Sequence, residues 1–214
     1  MRKIIYPEIE HYIEDLCDEE SILLKELNTY TCEYIHGSHM ISGHYQGRLL
    51  SMISKLVNPK TILEIGTYTG YSALCLAEGL QKNGKLISLE RNKDLNALHK
   101  KFLLQNPQIE VRYGEALETI PLLDETFELV FIDADKGNYE NYFNLVFPKI
   151  KKGGIILSDN VLWKGKVVDV EIGEDKNSKI VRTLNTFNQR LHKDKGVEQI
   201  ILPVRDGISV VRKI

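Results

Sequence analysis

Cysteine is scarce in this chain: Cys17, Cys32 and Cys75 are odd in number and far apart. That excludes a disulfide framework and any CxxC metal knuckle, and it suits a reducing cytoplasm, the compartment expected here. No window approaches the ~18 consecutive apolar residues of a membrane span. Neither sign of charge is in excess, with 28 Lys and Arg against 30 Asp and Glu and a formal net charge of -2. General attraction to nucleic acid or to an anionic membrane is therefore lacking, and neither is expected as a partner. The opening Met1-Arg2-Lys3-Ile4-Ile5-Tyr6-Pro7 is basic and briefly apolar, but Glu8, Glu10, Glu14 and Asp15 follow at once. No signal peptide is expected.

What is present is ordinary globular composition, 43% hydrophobic and 27% charged over 214 residues. That length fits one domain around one core. We read residues 1–57 as a helical cap and a substrate or dimer region, and 58–214 as an α/β core. In the cap, Ile9, Tyr12, Ile13 and Leu16 repeat at three-four spacing after Pro7, Ser21 to Leu27 reads as a second helix, and Leu49 to Leu56 as a third. Between the last two lies the polar loop His36-Gly37-Ser38-His39-Met40-Ile41-Ser42-Gly43-His44.

After Asn58-Pro59 the pattern alternates. Strands are expected at Thr61–Ile65, Lys85–Glu90, Ile109–Tyr113, Phe127–Ile132 and Gly154–Ser158, with helices over Ser72–Leu80, Leu95–Leu104 and Tyr139–Val146 between them. Such alternation predicts a parallel sheet covered on both faces. The tail differs: a helix over Lys179–Leu191 precedes strands Val197–Leu202 and Ile208–Arg212, joined through the turn pair Asp206-Gly207. A mostly parallel sheet ending in an antiparallel hairpin is the expected architecture.

In such sheets ligands bind outside the carboxyl ends of the strands. There the sequence puts Glu64-Ile65-Gly66-Thr67-Tyr68-Thr69-Gly70, Glu90, Ile132-Asp133-Ala134-Asp135-Lys136 and Ser158-Asp159-Asn160. Gly66 and Gly70 let the backbone approach a ligand, though the loop alone also reads as a tight turn without one. It is not GxGxxG, which weakens a nicotinamide-dependent oxidoreductase. A carboxylate at Glu64 repels phosphate and favours a cationic or zwitterionic ligand, and Glu90 suits a ribose diol. Asp133, Asp159 and Asn160 supply three hard oxygen donors, a set for Mg²⁺, Mn²⁺ or Ca²⁺ rather than zinc. Beside such an ion a bound hydroxyl is acidic enough for Lys136 to accept its proton. His36, His39 and His44 fit no zinc spacing and read as a solvated or substrate-facing loop. Trp163, the only tryptophan, is open to a core reading, while its position three residues past the Asp159-Asn160 pair suggests an aromatic wall for a planar substrate.

The runs Leu63 to Ser72, Ile132 to Lys136, Ser158 to Trp163 and Leu202-Pro203-Val204-Arg205-Asp206-Gly207 resemble the cation-dependent class I O-methyltransferases, the group of caffeoyl-CoA and catechol O-methyltransferases. The resemblance covers roughly residues 35–214, with four motifs in the family's order. It implies a seven-stranded, Rossmann-like S-adenosylmethionine methyltransferase fold, a homodimer, and a small phenolic acceptor. It implies cofactor contacts from Ser42, Glu64, Gly66, Thr67, Tyr68, Ser72, Glu90, Ala116, Asp133 and Tyr142, with Glu90 on the ribose and Ala116 near the adenine. Asp133, Asp159 and Asn160 hold the cation in this picture, Lys136 and Asp133 serve catalysis, and Met40, Lys136 and Trp163 face the acceptor. Where family members often carry Ser-Pro before Gln-Gly, this chain has Ser42-Gly43-His44-Tyr45-Gln46-Gly47. A non-catalytic S-adenosylmethionine-binding or RNA-associated protein is the remaining alternative, disfavoured by intact metal ligands and the lack of a basic tract.

Overall fold

The computed structural model describes residues 5–169 and 175–214. Met1 to Ile4 of the opening segment, and 170–174 of the polar stretch after Trp163, lie outside the described residues. Strands β1 (Thr61–Ile65), β2 (Lys85–Glu90), β3 (Ile109–Tyr113), β4 (Phe127–Ile132), β5 (Ile150–Ser158), β6 (Val197–Leu202) and β7 (Ile208–Lys213) form one sheet in the order β3-β2-β1-β4-β5-β7-β6. The first five pair in parallel, whereas β7 runs antiparallel to both β5 and β6.

Parallel strands covered on both faces need apolar side chains pointing both ways, hence the near-continuous runs of β1, β2 and β4. Ile62, Leu86, Leu129 and Phe131 enter one core, and Leu63, Ile65, Ile87, Leu89, Val130 and Ile132 the other. Helices α2 (Ile22–Tyr34), α3 (Gly43–Val57), α4 (Tyr71–Ala77) and α5 (Asn96–Phe102) pack on the first face through Leu24, Leu27, Leu50, Leu74, Leu76 and Phe102. On the second, α7 (Tyr139–Val146) and α8 (Lys176–Lys193) supply Tyr139, Phe143, Val146, Leu184, Phe187 and Leu191. The helical cap thus shares a core with the sheet. Helix α1 (Pro7–Leu16) is the exception: it buries no residue, and Ile9, Tyr12 and Leu16 of its apolar face stand exposed.

Several boundaries move. Ser21 caps α2 by accepting the Leu24 N–H at 3.3 Å, and the helix runs on past Leu27. Helix α3 starts at Gly43, inside the segment expected to be a loop. A short helix α6 (Ala116–Thr119) had no periodic signal of its own. Strand β5 starts four residues before Gly154, across a register shift against β4 and a left-handed Gly153. The hairpin link spans Pro203 to Gly207 rather than two residues, and its turn is closed by the Gly207 N–H on the Val204 carbonyl at 2.8 Å.

Candidate active site

The loop after β1 meets the loop after β4 with no room between them. Gly66 has φ +100°, and a Cβ there would lie 2.3 Å from the Asp133 carbonyl oxygen, so only glycine fits. The chain then takes a left-handed step at Tyr68, φ +48°. The Tyr68 N–H donates to Glu90 Oε2 at 2.7 Å and the Asn92 N–H to Oε1 at 2.8 Å. Each oxygen of Glu90 keeps a free lone pair, and the side chain lines the cavity beyond, as a ribose acceptor requires.

A histidine that sequence reasoning passed over holds this loop from behind. His99, fully buried on α5, donates from Nε2 to the Tyr68 carbonyl at 2.6 Å, so its Nδ1 accepts from the Tyr113 hydroxyl at 2.7 Å. Burial pushes its pKa down, which keeps the ring neutral and that bond pattern intact.

Glu64 lies one layer further in. Its carboxylate is fully buried and does not reach the cavity wall. Ser72 Oγ donates to one oxygen at 2.6 Å and Ser88 Oγ to the other, while Ser88 also bonds Thr67 Oγ1 at 2.5 Å. Burial pushes its pKa up to about 8 against those hydroxyl bonds, with Asp133 and Glu90 adding to the rise. Ser72, Thr67 and Gly66 face the cavity, and Glu64 stands behind them.

The carboxyl ends of β4 and β5 bring Asp133, Lys136, Asp159 and Asn160 to the same cavity. Lys136 Nζ lies 2.7 Å from Asp133 Oδ1 and 2.8 Å from the Tyr139 hydroxyl, which in turn donates to the Asp159 carbonyl at 2.8 Å. Burial alone would lower the lysine pKa; Asp133, Tyr139 and Asp159 outweigh it and hold Lys136 above its ordinary value, as an ammonium. Asp159 Oδ1 accepts the Asn160 N–H at 2.7 Å and Oδ2 accepts Gln46 Nε2 at 2.8 Å. Burial and the nearby Asp133 carboxylate raise the Asp159 pKa against the pull of Lys136 and the Gln46 hydrogen bond. Among the described residues no three His, Cys, Asp or Glu side chains form a metal cluster. A cation here would rest on two carboxylates and the Asn160 amide. That all-oxygen set fits a hard divalent ion and is wrong for zinc.

All of this opens on one cavity of about 1320 Å³. Ser42, Tyr68, Ala116 and Tyr142 line it, as do Met40, half exposed, and Trp163. The Tyr142 hydroxyl donates to Asp135 Oδ1 at 2.5 Å. His36 and His39 also line it, whereas His44 turns away to the Asp18 carbonyl at 2.8 Å. Among its lining groups carboxylates outnumber lysines and arginines, so it suits a ligand carrying positive charge. Sequence reasoning did not find Gln46. Its signal was a polar side chain in the apolar stripe of α3, three and four residues before Leu49 and Leu50.

A family model described as O-methyltransferase matches residues 14–214. The chain is similar to the caffeoyl-CoA O-methyltransferase of Medicago sativa, 35% identical over 207 residues that span 89% of this chain and 81% of that protein. It is similar to the catechol O-methyltransferase of Niastella koreensis, 33% identical over 209 residues, 94% of this chain and 92% of that one. Among solved structures, the SAH-bound Podospora anserina methyltransferase superposes with a TM-score of 0.86 at 26% identity, covering 97% of this chain and 94% of that one. The Bacillus cereus O-methyltransferase in complex with SAH gives 0.86 at 26% identity, covering 97% of each chain.

Proposed function

The chain belongs to the O-methyltransferase family, and on that premise we propose that it transfers a methyl group from S-adenosylmethionine to one hydroxyl of a catechol-like, chelating phenolic acceptor. We further propose that a divalent cation, Mg²⁺ first, is held by Asp133, Asp159 and Asn160. The observation that carries the reading is the convergence of Glu90, Asp133, Asp159, Asn160 and Lys136 on a single acidic cavity. When bound, the sulfonium supplies an activated methyl and the dication makes a coordinated hydroxyl acidic.

The chain's own residues then have definite tasks. Glu90, fixed by two backbone N–H groups, turns its remaining lone pairs to a ribose diol. Ser72, Thr67 and the left-handed Tyr68 shape the wall beside it. Lys136 stands where the acceptor's proton must go. As an ammonium paired with Asp133 it takes that proton only after giving one up to solvent or to a carboxylate. Tyr139 keeps its Nζ aligned with the Asp159 strand end. Trp163 and Met40 border the acceptor side, and holding acceptor and methyl donor together offsets ~7–11 kcal/mol of barrier in well-oriented systems.

Family membership sets aside the nicotinamide-dependent oxidoreductase. The homodimer implied by the family remains a proposal, supported by the exposed apolar face of α1 and measurable by sedimentation. The deciding experiment is turnover of a catechol by the wild-type protein with Mg²⁺ and with EDTA. Turnover with Mg²⁺ and its loss with EDTA are expected. Equal rates in EDTA would overturn the cation, and SAH binding without turnover of any diphenol would overturn the acceptor class in favour of a non-catalytic binding protein.

A further inference from the structure

The geometry points to Arg205 as a positioning residue that latches residues 36–46 over the cavity and, through Gln46, fixes the Asp159 carboxylate; the inference rests on the methyl-transfer reading of that cavity. Arg205 sits in the turn between β6 and β7 with φ +48°, a left-handed conformation that costs any residue with a Cβ. Its Nη1 donates to the carbonyl of Ile41 at 2.9 Å, to the carbonyl of Ser42, and to Gln46 Oε1 at 3.3 Å. Gln46 is fully buried, and its other end is the donor to Asp159 Oδ2. A charged donor thus reaches a candidate metal ligand through one rigid amide, the kind of bond that is stronger than its neutral counterpart.

At that point the segment is also held by the Ile41 N–H on the Ser38 carbonyl at 3.1 Å and by burial of the Ile41 side chain. Ser42 stands at the N-cap of α3 without a side-chain cap bond. Gly43 follows with φ +74°, and a Cβ there would touch nothing, so the glycine serves the backbone bend and not a contact. The carbonyls just ahead of α3 are held from a turn near the other end of the chain instead. Next to Arg205, Asp206 secures the opposite wall: its carboxylate accepts the Lys164 N–H and its carbonyl accepts the Leu162 N–H at 2.9 Å. Two neighbouring residues of opposite charge therefore tie down the loop carrying Met40 and Ser42 and the loop carrying Asn160 and Trp163.

The test is calorimetric titration with S-adenosylhomocysteine and amide hydrogen exchange over residues 36–46, on wild type, Arg205→Gly and Arg205→Lys. Glycine keeps the left-handed turn at ease and removes the guanidinium. The expected result is a Kd about tenfold or more higher in Arg205→Gly, since hydrogen bonds to charged groups are the ones at stake. Faster exchange at 41–46 should accompany it, with KM for the methyl donor raised more than kcat is lowered. Lysine keeps the charge but not the fork, so it should fall between the two and carries the test if the glycine variant does not fold. Unchanged Kd and exchange in the folded variant would overturn the latch. Failure of the wild type to bind S-adenosylhomocysteine would instead overturn the methyltransferase reading beneath it.

Discussion

Two glutamates stand at opposite ends of α4 and have opposite fates. Glu64 accepts from Ser72 in the helix's first turn, and Glu78 follows its last residue. Glu78 receives Arg48 at 2.7 Å, Lys55 at 3.0 Å and Ser51 at 2.7 Å. Burial works to raise its pKa, but those donors overcome it and hold it at about 2. Glu64 has only hydroxyls, and burial wins, at about 8. A fold is able to pair its buried acids, since it does so at Glu78. At the strand ends Asp133 and Asp159 share the ammonium of Lys136 and Glu64 has hydroxyls alone, a shortage of positive charge that a sulfonium and a dication would satisfy.

The largest effect is expected at the strand ends. Asp159→Ala removes one of the two carboxylates proposed to hold the cation. A Lewis acid contributes several kcal/mol to such chemistry, so Mg²⁺-dependent turnover should fall at least about a hundredfold. Steady-state rates across a Mg²⁺ series measure it, and wild-type rates would remove the acid edge from the mechanism. Next in size, Glu90→Ala deletes a carboxylate whose two oxygens already face fixed donors. S-adenosylhomocysteine affinity should drop about ten- to a hundredfold by calorimetry, with a smaller effect on turnover at saturation. An equal affinity would mean that the ribose is held elsewhere.

This edge was legible in the sequence because its acids, Glu64, Glu90, Asp133 and Asp159, sit at a strand end or one position from it. Thr61–Ile65, Phe127–Ile132, Tyr139–Val146 and Val197–Leu202 were predicted with the bounds the structure has, since short apolar runs between turn residues leave little freedom. What stayed hidden depends on distance along the chain. Gln46 and Arg205 look like surface residues until residues 159 apart in sequence bond each other. The partners of Glu64 were hidden for the same reason: its position at a strand end was clear, but Ser88, on the neighbouring strand, donates to its carboxylate from behind. The start of α3 was missed because His36 to His44 is polar and glycine-bearing, and what steadies it is Arg205, far along the chain.

At the paired end, Glu78→Gln should cost about 1–3 kcal/mol, because it leaves the largely buried Arg48 without its counter-charge. A Tm lower by several degrees is the readout. The sign of its pH dependence follows from the direction of the shift. A carboxylate held at about 2 contributes stability above its unfolded value near 4.5, and loses it as pH falls through that window toward 2. Wild type should therefore weaken on acidification more steeply than Glu78→Gln.

The most discriminating test belongs to Glu64→Gln. A carboxyl raised to about 8 binds a proton in the folded state that the unfolded chain gives up near 4.5. Its contribution is complete below 4.5 and disappears as pH rises through 8, with a slope of at most about 1.4 kcal/mol per pH unit. Glutamine copies the protonated form: one oxygen accepts from Ser72, and the amide donates to Ser88, whose hydroxyl rotates to face Thr67. Urea unfolding of the ligand-free protein should then give matching stabilities at pH 5 and a more stable variant at pH 8. S-adenosylmethionine binding at pH 8 should move the other way, since the anion behind Ser72 is lost. A variant with the wild-type pH slope would show that Glu64 is as well compensated as Glu78, and the two ends of α4 would no longer differ in kind.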